Sequence, residues 1–310
     1  MDRMPESPST EELRNLYPIA EDSLFSIGQE RSEISKALET PDSTTLGIIG
    51  PCARPSIELI DVVLNEGRKI AETSLKESGL HVLHRGPTWK PRTNPNDWHG
   101  EETTDPSGAY LSTKLEAETL FHVAMEIGYE KQLGRYASLL TFAWIGSRNV
   151  ENDDLVQSVA EYDPHLPIGI KNDLDGDISK AINRVNLINN LRFSDEAPAI
   201  LIYRGGNNAT NPTDWKTAYK EAHDATGGKL IVDVAHGSEM AHDPNGKNCK
   251  SIEGQVLAME SVNDMAQEGI APAGIMIEAS DLPSKTDPHM PLGIALKGLV
   301  KLHDAKMFKF

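Results

Sequence analysis

Short apolar runs recur along most of the chain, with longer amphipathic segments between them. The runs lie at residues 46–50, 81–84, 123–128, 139–145, 167–170, 199–203, 229–234 and 274–278. Several are continuously apolar, which is typical of parallel strands buried on both faces. The pattern therefore predicts eight strands. The clearest predicted helices between them lie at residues 57–74, 115–122, 178–189, 215–225 and 254–268.

Eight strand–helix units in about 260 residues fit an α/β fold of the (β/α)8 barrel type better than an open doubly wound sheet. The first run is not followed by the Gly-x-Gly-x-x-Gly sequence of a dinucleotide-binding fold. Residues 1–45 are predicted to form an N-terminal extension with helical pieces at 10–16 and 31–38, and residues 46–310 the catalytic barrel. The connection between the third and fourth runs is too short for a regular unit.

Composition narrows the class of protein. A hydrophobic content of 38% over 310 residues is enough for a sizeable core. No apolar run approaches the roughly 20 residues that cross a bilayer, and the polar N-terminus lacks the apolar region of a secretory signal. With only two cysteines, Cys52 and Cys249, we expect a cytoplasmic protein without a disulfide framework. The net charge of −17 disfavours nucleic acid and membrane partners.

Cationic side chains follow several of the predicted strands, at the end where barrel enzymes place their active sites. They are Arg85, Lys90, Arg92, Arg148, Lys171 and Arg204. Pro91 stiffens the tetrapeptide from Lys90 to Thr93, and Gly205 and Gly206 allow a ligand close to the backbone. Clustered cations of this kind suit a phosphorylated or carboxylated small molecule.

A second set combines a thiol, an imidazole and two carboxylates: Cys52, His236, Glu278 and Asp287. Together these groups suit one divalent transition metal. Singly, Cys52 is also compatible with a small core residue, and His236 with a loop histidine. Glu278 ends a strongly apolar run, where an unpaired buried carboxylate would be costly.

Eight short motifs, taken in order, make the chain resemble type I 3-deoxy-D-arabino-heptulosonate 7-phosphate (DAHP) synthase, the first enzyme of the shikimate pathway. They are Gly50-Pro51-Cys52, Lys90-Pro91-Arg92-Thr93, Ile145-Gly146-Ser147-Arg148, Gly169-Ile170-Lys171-Asn172, Arg204-Gly205-Gly206, Asp233-Val234-Ala235-His236, Met276-Ile277-Glu278 and Thr286-Asp287. The resemblance implies a transferase that condenses phosphoenolpyruvate with erythrose 4-phosphate. It also leads us to expect a homo-oligomer, a dimer or a tetramer.

By this resemblance, Cys52, His236, Glu278 and Asp287 hold Mn²⁺, Fe²⁺, Co²⁺ or Zn²⁺. The positions that match the phosphoenolpyruvate site are Arg85, Lys90, Arg148, Lys171 and Arg204, and those that match the aldose phosphate site are Arg92 and Thr93. Lys90 and His236 are the expected catalytic residues. Lys90, close to the metal and to other cations, is expected to carry a proton in the reaction.

The chain departs from the family pattern in three places. The 33 positions from Lys171 to Arg204 leave no room for the β-hairpin that feedback-regulated members carry there, which predicts little or no inhibition by aromatic amino acids. Asp287 follows Glu278 after nine positions instead of a long loop, which leaves the aldose acceptor open. Ala53-Arg54-Pro55 and Asn149-Val150 replace the family's Ser-Ile-His and Thr-Thr.

Other interpretations remain open. The same condensation with another aldose or aldose phosphate is the main alternative, although Lys90–Thr93 does not match the Asn-Arg-Ser-Ser of octulosonate-phosphate synthases. A barrel that has lost catalysis is a second. A metal-dependent hydrolase is disfavoured because such sites use several histidines, whereas only His236 is well placed here.

Overall fold

The computed structural model of the protein describes residues 8–76, 78–89, 98–193, 195–206, 212–236, 251–282 and 289–307. Two helices, α1 (Thr10–Leu16) and α2 (Glu21–Glu39), precede the barrel. The strands are β1 (Thr45–Gly50), β2 (Leu80–Arg85), β3 (Val123–Ile127), β4 (Phe142–Ile145), β5 (Ile168–Lys171), β6 (Ala199–Tyr203), β7 (Leu230–Asp233) and β8 (Gly274–Glu278). The remaining helices are α3 (Ile60–Lys76), α4 (Pro106–Leu120), α5 (Glu130–Tyr136), α6 (Asp153–Tyr162), α7 (Ser179–Leu191), α8 (Pro212–Thr226), α9 (Ile252–Gln267) and α10 (Leu292–Met307).

The strands form one closed parallel barrel in sequence order, and β1 pairs with β8 to complete it. The predicted (β/α)8 fold and its eight strands are therefore confirmed. The short third connection holds the seven-residue helix α5 and a 3₁₀ turn, so that unit is compressed rather than missing. The sequence pattern did not predict α5, α6 or α10.

Side chains alternate between the two faces of the barrel wall. Along β1, Leu46 and Ile48 belong to an inner cluster, whereas Ile49 belongs to the outer cluster between strands and helices. β8 repeats the pattern, with Met276 inside and its two isoleucines outside. Both faces are apolar and buried, which explains the continuously apolar runs in the sequence.

The N-terminal extension covers the end of the barrel where the strands begin. Ile34 and Leu38 of α2 join the inner cluster with Leu46. Arg31 anchors the helix: its Nε donates to the carbonyl of Leu140 at 2.7 Å, and Nη1 pairs with Asp163 at 2.8 Å. One end of the barrel is thereby closed, so a ligand enters from the other. The proposed domain division after residue 45 remains a prediction.

In the part of the chain that the structure describes, no helix combines the length and apolar character needed to cross a membrane.

Candidate active site

Charged side chains occupy the last inward-facing position of most strands, at the open end of the barrel. Each continues an inward series two residues after an apolar position, as in Leu83 followed by Arg85 or Met276 followed by Glu278. We call these six residues the charged layer: Arg85, Glu126, Lys171, Arg204, Asp233 and Glu278. All six are at most 7% exposed. The layer contains three cations and three carboxylates, packed on an apolar interior.

Glycines make room for this layer on the two strands that contribute no charge to it. A Cβ on Gly146, just after β4, would lie 2.0 Å from Oε1 of Glu126. A Cβ on Gly50, which ends β1, would lie 2.9 Å from Cγ of Arg85. Any larger residue at either position would displace a charged side chain.

Ion pairs within the layer hold two of the cations. Nζ of Lys171 lies 2.5 Å from Oδ2 of Asp233, and Nη2 of Arg85 lies 3.3 Å from Oε1 of Glu278. Nε and Nη1 of Arg85 are buried and make no hydrogen bond to the described residues. An arginine presents five N–H donors in a planar fork, so most of the hydrogen-bonding capacity of Arg85 is available to a ligand.

Burial and neighbouring charges shift the ionisation of this layer. Burial lowers the pKa of Lys171, although the charge of Asp233 acts against that shift, and burial also lowers the pKa of Arg204. Burial alone would raise the pKa of Asp233, but His236 and Lys171 outweigh it and hold that pKa well below its usual range. Asp233 is therefore a carboxylate at neutral pH.

Arg204 is positioned through its backbone. Its N–H donates to Oδ1 of Asn172 at 2.7 Å, and Nδ2 of Asn172 donates to the carbonyl of Gly205 at 3.1 Å. Asn172 thus ties the loop after β6 to the end of β5. Arg148, by contrast, is exposed on the loop after β4. The structure brings Arg85, Lys171 and Arg204 together in one layer and leaves Arg148 at its rim.

His236 and Glu278 meet in the geometry of a metal-binding pair. Nδ1 of His236 lies 2.9 Å from Oδ2 of Asp233, and its Nε2 lies 3.3 Å from Oε1 of Glu278. A carboxylate on one ring nitrogen is the usual way to orient a histidine ligand. Two donors each about 2.0–2.2 Å from one ion lie roughly 3 Å apart. The donor chemistry and spacing of this pair therefore fit a divalent ion.

The structure describes only one of the other two predicted ligands. Cys52 is buried just beyond β1, and its backbone N–H donates to Nε2 of His289 at 2.9 Å. Asp287 lies outside the described residues. Among the residues that are described, no three His, Cys, Asp or Glu side chains are close enough to hold one ion.

A closed barrel with a buried charged layer and a histidine–glutamate pair agrees with what comparison with known proteins finds. The DAHP synthetase I family matches residues 26–306. The chain belongs to this family. A phospho-2-dehydro-3-deoxyheptonate aldolase of Corynebacterium glutamicum is 24% identical over 295 residues, which cover 88% of this chain and 78% of that protein. The Tyr-sensitive enzyme of the same name from Escherichia coli is 25% identical over 302 residues, covering 87% and 80%.

A solved structure shows the same fold. The phospho-2-dehydro-3-deoxyheptonate aldolase of Francisella tularensis SCHU S4 superposes with a TM-score of 0.80 at 18% identity, covering 100% of this chain and 99% of the other. The resemblance to DAHP synthases is thereby confirmed at the level of family and fold.

Four site residues predicted from the DAHP synthase resemblance lie outside the described residues: Lys90, Arg92, Thr93 and Asp287. The residues on either side of the segment 90–97 are described. Trp89 stacks on His99 with ring centroids 6.3 Å apart and meets Tyr129 edge-on at 5.4 Å.

Arg54, where the chain departs from the family pattern, is a buried structural cation. Its guanidinium pairs with the buried carboxylate of Glu116 on α4, which also lies 2.6 Å from Nδ1 of His84. Its backbone N–H donates to the carbonyl of Pro87 at 2.8 Å. Arg54 therefore links the loop after Cys52 to the loop that leads from Arg85 towards Lys90.

The prediction of site residues missed Glu126, Trp144 and Asn172 and did not give Asp233 a role. Glu126 carried a usable signal, since it is a charged residue inside an apolar run, at an inward position. Asn172 and Asp233 stood at predicted strand ends. Trp144 had no signal, because a tryptophan in an apolar run is most simply a core residue.

Proposed function

We propose that this protein is a metal-dependent DAHP synthase, which condenses phosphoenolpyruvate, erythrose 4-phosphate and water to give DAHP and phosphate. The observation that carries the proposal is the charged layer, in which Nε and Nη1 of the buried Arg85 have no hydrogen-bond partner among the described residues and lie beside a histidine–glutamate pair. Membership of the DAHP synthetase I family supports it. The protein is accordingly a transferase.

The cations of the charged layer suit phosphoenolpyruvate, which carries both a carboxylate and a phosphate. Arg85 and Arg204 present planar forks that match either group. Lys171 adds a compact charge, and Asp233 keeps it in place by their 2.5 Å contact. Arg148 at the rim and Lys90 on the neighbouring segment complete the proposed set. Because Arg85, Lys171 and Arg204 are buried, their interactions with an anion are stronger than they would be in water.

The proposed metal site adjoins these cations, since Glu278 lies 3.3 Å from Nη2 of Arg85. His236 and Glu278 are its proposed paired ligands, and Cys52 and Asp287 are the others. A divalent ion bound there supplies a Lewis acid for the aldehyde oxygen of the acceptor. Asp233 orients His236 through Nδ1, so the histidine presents Nε2. The new bond joins C3 of phosphoenolpyruvate to the aldehyde carbon, water adds at C2, and phosphate leaves.

One observation favours the alternative acceptor. Two backbone hydrogen bonds join the ends of the loop that follows β8. The N–H of Met290 donates to the carbonyl of Glu278 at 2.9 Å, and the N–H of Ser280 donates to the carbonyl of Met290 at 3.0 Å. The loop that carries Asp287 is therefore closed at its base. A loop this short favours a different wall around the aldose, so the same condensation with another aldose or aldose phosphate is the second candidate.

Two further expectations belong to the proposal. We propose that the enzyme works in the cytoplasm as a homo-oligomer, a dimer or a tetramer. Light scattering of the purified protein tests the second of these, and a monomer at micromolar concentration would contradict it.

An acceptor screen tests the function. Purified enzyme with Mn²⁺ and phosphoenolpyruvate is given erythrose 4-phosphate, other aldose phosphates or free aldoses, and phosphate release is followed. We expect the fastest release with erythrose 4-phosphate and none after chelation. Faster release with another aldose would establish the second candidate. Absence of release with every acceptor, from folded and metal-loaded protein, would favour the non-catalytic barrel.

A further inference from the structure

Trp144 is the last inward-facing residue of β4, two positions before Gly146. It is fully buried and belongs to the inner cluster, next to Phe142 on the same strand. In the sheet it is paired with Glu126 of β3 on one side and with Gly169 of β5 on the other. It therefore lies directly beneath the charged layer, where a core residue would ordinarily be aliphatic.

Two cations of the charged layer rest on this ring. The guanidinium carbon of Arg85 lies 5.4 Å from the ring centroid of Trp144, and Nζ of Lys171 lies 5.9 Å from it. Both distances are within the range in which the ring quadrupole attracts a cation, and tryptophan provides the strongest such attraction. The two cations are near enough that Arg85 adds to the lowering of the pKa of Lys171, after burial itself. The ring partly offsets this repulsion.

Trp144 contacts the charged layer through the face of its ring rather than through its N–H group. Its Nε1 is buried and makes no hydrogen bond to the described residues, although a buried indole N–H usually has a partner. A tryptophan that only fills space in the core needs no cations against its ring. Trp215 illustrates that case: it is equally buried on the outer side of the wall, where it packs on Tyr203 at 6.2 Å and Tyr219 at 5.7 Å.

We infer that Trp144 is a positioning residue for the phosphoenolpyruvate site, an inference that rests on the proposed function. Its ring forms the floor of the charged layer and holds Arg85 and Lys171 side by side, in place of water or a further carboxylate. A carboxylate there would neutralise the cations, whereas the ring attracts them and leaves their charge for the ligand. Phosphoenolpyruvate then meets cations that are already oriented, which lowers the cost of binding.

Substitutions of Trp144 test this inference in the full-length, Mn²⁺-loaded enzyme. Trp144→Phe keeps a weaker ring and Trp144→Leu removes it. We expect the Kd of phosphoenolpyruvate, measured calorimetrically, and its KM to rise about 5-fold for Phe and about 30-fold for Leu. The KM of the aldose phosphate should stay within about twofold, since the two cations on the ring, Arg85 and Lys171, both belong to the proposed phosphoenolpyruvate set.

Trp215→Phe is the matched control, because it makes the same change at an equally buried site. We expect it to lower the melting temperature without changing the Kd of phosphoenolpyruvate. The inference is overturned if both Trp144 variants bind phosphoenolpyruvate as tightly as the wild type, or if Trp215→Phe weakens binding equally. Should Trp144→Leu fail to fold, Trp144→Phe decides alone. Wild-type enzyme that does not bind phosphoenolpyruvate would instead overturn the proposed function.

Discussion

Two buried arginines at opposite ends of the barrel are satisfied in very different ways. At the closed end, all three guanidinium nitrogens of Arg31 have partners: the carbonyls of Leu140 and Ala137 and the carboxylate of Asp163. At the open end, Arg85 is more deeply buried, yet it contacts Glu278 through Nη2 alone, and Nε and Nη1 have no hydrogen-bond partner among the described residues. Leaving a buried donor unpaired costs about 1–3 kcal/mol.

The difference separates cations that stabilise the fold from cations that await a ligand. Arg31 gains its free energy when the chain folds, because each of its guanidinium nitrogens has a protein acceptor. Arg85 recovers the cost of its burial only when an anion arrives. Burial by itself therefore does not distinguish these two cations, whereas the satisfaction of their donors does.

The largest effect should come from removing the unsatisfied cation. Arg85→Met should lower kcat/KM for phosphoenolpyruvate by about 10³-fold, since it deletes a buried, charge-assisted contact. Its urea midpoint should fall less than that of Arg31→Met, because removal of the unpaired buried donors offsets loss of the pair with Glu278. Arg85→Lys keeps the charge but loses the planar fork, so its kcat/KM should lie between those of the wild type and Arg85→Met. Unchanged kinetics for Arg85→Met would contradict the proposal that Arg85 binds phosphoenolpyruvate.

Loss of the metal pair should come next. Glu278→Gln should weaken Mn²⁺ binding by about 10²-fold, and a calorimetric titration with Mn²⁺ measures this without any substrate. The matched control is Glu253→Gln on α9, in the first turn of an outer helix, which should bind Mn²⁺ as the wild type does. Equal Mn²⁺ affinity in all three proteins would remove Glu278 from the ligand set.

Removing Arg31, the cation with protein partners, should lower stability and leave substrate binding unchanged, the reverse of what we expect for Arg85. Arg31→Met should lower the free energy of unfolding by about 2–4 kcal/mol, because it strands Asp163 and two carbonyl groups. The Kd of phosphoenolpyruvate should not change in the folded protein. Lys36→Met on the same helix breaks an exposed pair with Glu33 and should cost less than about 1 kcal/mol. Urea denaturation of both variants compares them directly.

The smallest effect concerns regulation. Between β5 and β6, the described residues form the single helix α7 and no strand, and the absence of a feedback hairpin remains a prediction. Millimolar Phe, Tyr or Trp should change the rate of phosphate release by less than about twofold. Without a feedback hairpin, we expect the amino acid to bind the active and inactive states of the enzyme almost equally, and such a ligand shifts neither. Inhibition at sub-millimolar concentration by any of the three would contradict it.

Sequence patterns predicted the barrel well and the site in part. The strands were recognisable because both faces of the wall are apolar, and Arg85, Lys171 and Arg204 because each follows such a run. Helices α5 and α6 were missed, since both are short, with seven and ten residues. The pairing of Arg85 with Glu278, and of Lys171 with Asp233, depends on closure of the barrel. Contacts of that kind join residues far apart in the chain, and no local pattern encodes them.

The balance of charge within the layer has a consequence for the speed of substrate capture. Its three cations are matched by three carboxylates, so the layer by itself does little to offset the −17 net charge of the whole chain. An anionic substrate therefore diffuses towards a molecule that repels it at long range and attracts it only on contact. Added salt screens the repulsion first, since the contacts are buried. The association rate of phosphoenolpyruvate should thus rise with moderate ionic strength, the reverse of electrostatic steering.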